Sequence, residues 1–259
     1  MTTWGRMLAA VLLLGALSAC SAVADAVAPP GLRRGVDVPS RPINARPTPL
    51  GVPALAPPGE GGYAFLTSHA DGTPVTWDAC RPVHYVVRPT GEPEGGRALL
   101  RWAFAELAKA SGLQFVEDGA TTEAPDGQRP AFLSERYGDR WAPVLVAWAS
   151  PSESAMVSDS TLGRAGPIPF GLDSRDDQRY VSGLAVFNAP ALTQQLRIGD
   201  DNKARAVLLH ELGHLVGLGH VQDPYQVMYD TNPYPVAAYR AGDLRGLELL
   251  GSGRCYTDY

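Results

Sequence analysis

His210-Glu211-Leu212-Gly213-His214-Leu215-Val216-Gly217-Leu218-Gly219-His220 gathers three of the chain's five histidines into eleven residues. Residues 203–216 read as a helix whose apolar filling is Val207, Leu208, Leu212 and Leu215. On that helix His210 and His214 stand one turn apart on the same face, so both imidazoles can reach one metal ion. Glu211, one residue past the first histidine, projects beside such an ion, where a base acting on a water molecule would stand. His220 is six residues beyond His214, about 240° round a continuing helix, and could not join the pair. The chain must therefore turn between them, and Gly217 has the freedom for a left-handed turn. Three neutral histidines leave one tetrahedral position open, the arrangement of a catalytic rather than a structural zinc. An amphipathic helix with incidental histidines is the bland alternative. His69 and His84 have no ligand-spaced partner and read as ordinary histidines.

Outward from this segment, the rest of the chain reads as a mixed α/β domain. Residues 83–87 are a β-rich run between Pro82 and Pro89. Residues 97–110 carry Leu100, Phe104 and Leu107 at helical spacing, with Gly112 as a stop signal. Residues 113–116, 144–148 and 181–187 are further strand candidates, and 243–250 a closing helix. The stretch 151–180, rich in Ser, Gly, Pro and Asp, reads as a long surface loop. The order β-α-β-β-β-α-loop-α implies helices packed on a mixed sheet.

The 259 residues include 22 Lys+Arg against 27 Asp+Glu, a net charge of −5. That balance lacks the basic face of a nucleic-acid binder. Only Lys109 and Lys203 are lysines, and the Arg, Ala, Gly and Pro bias is that of a GC-rich bacterial genome. Residues 1–20 read as an export signal, with Arg6 before an eleven-residue apolar core, 7–17, too short to span a bilayer. Leu17-Ser18-Ala19-Cys20 resembles a bacterial lipobox, in which Cys20 would be acylated and anchor the protein to a membrane. Cleavage at Ala22-Val23-Ala24 is the alternative. Either way the protein is exported, to the cell surface or beyond. Residues 21–60 hold nine prolines without apolar periodicity and read as a disordered stalk before one domain, 61–259. Outside the cell, Cys80 and Cys255 form an even pair once Cys20 is committed, which suggests a disulfide. Two free thiols are the other reading.

The histidine segment resembles the metzincin zinc endopeptidases at every fixed position of HExxHxxGxxH. Met228-Tyr229, eight residues after His220, is similar to the methionine turn of the matrixin branch, and residues 241–251 to its closing helix. The resemblance implies a twisted mixed sheet, an active-site helix and a small C-terminal subdomain ending in a helix. It implies one zinc on His210, His214 and His220, with Glu211 as general base for hydrolysis of peptide or protein substrates. Met228 would be the floor beneath the metal and Tyr229 a pocket wall. Residues 181–187 would be the edge strand that pairs with substrate. Val221 and Asp230 replace the usual Ser and Pro, and no Cys lies between Cys20 and Cys80 to provide a thiolate latch. No second-zinc ligand set is evident. Asp173, Asp176 and Asp177 are calcium candidates, against the plainer reading of a solvated acidic loop. A monomer is expected. The rival functions are an exported zinc-binding lipoprotein without proteolytic activity and a zinc amidase acting on cell-wall peptide.

Overall fold

A computed structural model describes residues 38–40, 46–59, 61–171, 177–199, 201–231 and 235–256. Two short strands and one five-stranded sheet run through it. β1 (Ala64–Phe65) precedes β2 (Val83–Arg88), where Val83, Tyr85, Val86 and Val87 are buried. α1 (Gly96–Ser111) follows, buries Leu100, Phe104 and Leu107 on one face, and ends on Gly112 at φ 74. β3 (Phe115–Ala120) starts two residues later than the sequence pattern suggests. After a short α2 (Ser134–Tyr137) comes β4 (Val144–Ala149), buried along its whole length, which explains its unbroken apolar run.

β5 (Gly163–Phe170) lies inside the stretch read as loop. It is followed by β6 (Arg179–Asn188), α3 (Ala189–Arg197), α4 (Asp201–Val216), β7 (Leu218–Gly219) and α5 (Ala241–Gly251). The sheet order is β3-β2-β4-β6-β5, with β5 antiparallel to β6 and the other pairs parallel. This corrects the expected edge: residues 181–187 lie in β6, between β4 and β5, and the edge strand is β5. Its sequence hid it because Pro167 and Pro169 are strand-averse. Prolines are tolerated on an edge, where a missing N–H need not break a ladder.

α1 and α4 cover one face of the sheet, joining Leu100, Phe104 and Leu107 to Leu208, Leu212 and Leu215 over Val87, Val146 and Phe187 in one core. The opposite face carries Val86, Leu145, Leu184 and Val186 beneath Met156 and Val157. There Arg129 and Glu123 form a buried ion pair, and the guanidinium also donates to Ser182 Oγ, Gly183 O and Pro143 O. This ties Arg129 and Glu123 to Ser182 and Gly183 of β6 and to Pro143, the residue before β4. Among the described residues, no helix is long and apolar enough to cross a membrane.

A disulfide joins Cys80, before β2, to Cys255, after α5, across 175 residues with Cα atoms 5.2 Å apart. The expected signal segment with Cys20 lies outside the described residues. Of the expected stalk, residues 50–54 lie against the domain instead of standing clear of it. Leu50 N donates to Ala79 O and Ala54 N to Ala110 O. A Cβ at Gly51 would sit 2.3 Å from Gly112 O, so a glycine permits that approach. Val52 and Leu55 stay exposed.

Candidate metal centre and active site

α4 is buried almost all round, from Ala204 to Val216, so its histidines are positioned by packing on both sides. It stops at Gly217, whose φ of 117 admits no ordinary side chain comfortably. Leu218 and Gly219 then pair with Phe65 and Ala64, and this small ladder carries His220 back over the helix. The turn anticipated at Gly217 is therefore present, with β1 as the partner that fixes it.

The three Nε2 atoms converge: His214 to His210 is 3.0 Å, His214 to His220 3.1 Å, and His220 to His210 3.2 Å. Nδ1 of His210 lies 2.8 Å from Val227 O and Nδ1 of His214 2.8 Å from Leu218 O. Carbonyl oxygens only accept, so in both rings Nδ1 carries the proton and Nε2 presents a bare lone pair. Burial pushes His210 down to about 4, helped by His220 and opposed by the Val227 carbonyl and Asp230. His214 falls well below its ordinary value, again chiefly through burial, and His220 is lowered for the same reason. Lone pairs facing one another at these distances repel unless a cation sits between them. Zinc arms of about 2.0–2.1 Å at the tetrahedral angle separate ligand atoms by about 3.3 Å. Donor type, tautomer and spacing all fit, and this trio is the group of described residues that can hold a metal ion.

Glu211 is buried beside the trio, under the edge strand. A Cβ on Gly163 would fall 2.7 Å from Glu211 Cγ, so β5 can lie this close only with glycine there. Burial pushes the Glu211 carboxyl up to about 8, against the opposing pull of the Ala165 N–H and the Arg164 charge. Beneath the helix, Met228 is 1% exposed, and a Cβ on Gly213 would lie 2.5 Å from its Sδ. Val221 N donates to Met228 O, and Tyr229 bridges to Val221, so Tyr229 borders the His220 segment.

Two polar residues that the sequence reading did not single out hold this floor. The buried Asp243 carboxylate accepts from Val227 N at 3.0 Å, Met228 N at 3.3 Å and Arg240 N at 2.9 Å. Gln226 accepts from Asp243 N and donates to Gly62 O. Because Val227 O orients His210, α5 reaches the metal centre through one peptide unit. The signal available was an acid in the first turn of the last helix, which by itself says only that a helix starts.

His69 and His84 are not brought to the trio; His84 Nδ1 donates to Asp118 instead, 2.7 Å away. Of the calcium candidates, Asp173 and Asp176 lie outside the described residues, and Asp177 joins no ligand group among those described. Residues 150–248 match the family model described as Matrixin. No curated protein matches the chain.

Proposed function

We propose, from the match of residues 150–248 to the matrixin family model, that the chain is a zinc-dependent endopeptidase. The observation that carries the reading is three convergent Nε2 atoms with a buried carboxylate, one residue past the first histidine, under a strand that ends the sheet among the described residues. His210, His214 and His220 would hold zinc, which when bound supplies Lewis acidity toward water and the scissile carbonyl. Glu211 takes the proton from the attacking water and returns it to the leaving amine. The β5 edge holds an extended peptide by main-chain hydrogen bonds. Met228 supports the histidines from below, and Tyr229 walls the cleft. Residues 1–20 would direct export, with Cys20 as the acylated residue and residues 21–60, of which 50–54 are seated on the domain, as the tether.

Glu211→Gln keeps volume and removes the base. Cleavage of a broad peptide library should fall by about 10²–10⁴-fold, with one zinc per chain retained. Equal cleavage by the variant would overturn the role of Glu211. No cleavage by the zinc-loaded wild type would overturn the peptidase reading.

A further inference from the structure

Arg164 is the exposed residue of β5 between Gly163 and Ala165. It follows Gly163, whose Cβ position meets the Glu211 side chain, so it stands one residue along the strand from the reacting centre. Yet no ion pair joins it to any described residue. Other arginines near the sheet are engaged: Arg88 of β2 with Glu153, and Arg140 of the loop before β4 with Asp118 on β3. Among the described residues, Arg164 is thus a cation on an edge strand without an ion-pair partner, placed where an anion on a bound chain could meet it.

The register says which part of a bound chain would supply it. Leu162 O accepts from Asn188 N and Gly166 O lies against Gly183, so the main-chain groups of the alternate residues 163 and 165 point away from β6. Arg164, paired with Val186, points its own inward. A peptide laid antiparallel along the free edge would therefore meet Arg164 in a non-hydrogen-bonded pair, the arrangement that brings facing side chains closest. Gly163 turns its Cβ position toward α4, so Arg164 and the residue facing it project from the opposite face of the sheet. Opposite charges in such a cross-strand pair attract.

We infer that Arg164 selects extended peptides carrying one acidic side chain, at the position that faces it across the β5 edge. The positions immediately before and after point toward α4 and do not share the preference. This rests on the peptidase reading for the identity of the bound chain. The test is made on binding, so that the two can fail separately. Dansyl-labelled, otherwise uncharged decapeptides, each with a single Glu or a single Lys walked along the chain, are titrated against the zinc-loaded Glu211→Gln protein by fluorescence anisotropy. The expected result is one position where Glu binds tighter than Lys by about three- to five-fold. Flanking positions should be flat, and Arg164→Glu should reverse the order at that position. Wild-type kcat/KM on the same peptides should rank them alike. Equal affinities for Glu and Lys at every position, a preference that survives Arg164→Glu, or no binding overturns the inference. Cleavage without any such preference overturns it too and leaves the peptidase reading standing; selective binding without cleavage does the reverse.

Discussion

At Gly213 a single missing methyl group decides how closely the floor of the metal centre approaches the helix. The Met228 sulfur occupies the place a Cβ would take, 2.5 Å from it, so Gly213→Ala forces α4 and the methionine turn apart. Overpacking of this kind costs about 1–3 kcal/mol. The variant should unfold at lower denaturant and also bind zinc more weakly, as measured by chelator competition, because His210 is oriented by Val227 in the same turn. Unchanged zinc affinity would show that the turn supports only the fold. The convergence of the three histidines was legible in sequence because three histidines and a turn-forming glycine have few other uses at that spacing. Gly213 and Gly163 were not: a glycine's reason lies in what it lets approach, and both visitors, Met228 and Gly163's neighbour Glu211, come from other elements.

Among the elements, α5 matters more than its place at the end of the chain suggests. Removing the Asp243 carboxylate leaves the N–H groups of Val227, Met228 and Arg240 without their acceptor, at about 1–3 kcal/mol for each one left buried. Asp243→Ala should therefore destabilise the protein by more than about 2 kcal/mol in equilibrium unfolding and weaken zinc binding in parallel. On β3, burial raises the pKa of Asp118, but hydrogen bonds from His84 and Arg140 outweigh it and hold the carboxyl below its ordinary value. A lowered folded-state pKa gives stability that is present above the unfolded value of about 3.9 and is lost as pH falls through the folded one. Asp118→Asn should flatten the acid limb of the stability curve below about pH 4; an unchanged limb would dismiss the pair. Elements with regular patterns, such as β2, β4, α1 and α4, were readable from spacing. β5 was not, because its prolines and glycines suit an unpaired edge and mimic a loop. β6 looked like the edge only while β5 was missing. α3 had a signal that went unread: Asn188 caps it by accepting from Ala191 N, with proline in the first turn.

For the whole molecule, the mixed sheet and its helices followed from the order of patterned segments, while the seating of residues 50–54 did not, since two backbone hydrogen bonds leave no mark on composition. The Cys80–Cys255 bridge is worth up to about 5 kcal/mol in the chain-entropy picture. Reduction, or a paired Cys80→Ser and Cys255→Ser variant, should lower the melting temperature sharply in calorimetry. Equal melting with and without reductant would remove the bridge from the stability account. The proposed export and acylation predict that Cys20→Ala shifts the protein from the membrane fraction to the medium, or leaves it unprocessed. Recovery of soluble wild type beginning at Asp25 would instead favour the ordinary cleavage site.

The same bridge gives the molecule an unusual response to being cut. Its two cysteines enclose α1 to α5 and every strand of the five-stranded sheet in one covalent ring. The proposed peptidase would meet its own loops at high local concentration, and residues 150–162, which lead into the edge strand, are among them. A nick anywhere between the cysteines opens the ring without releasing a fragment. A population of self-nicked molecules would run as one intact band on a non-reducing gel and fall into two pieces only when thiol is added.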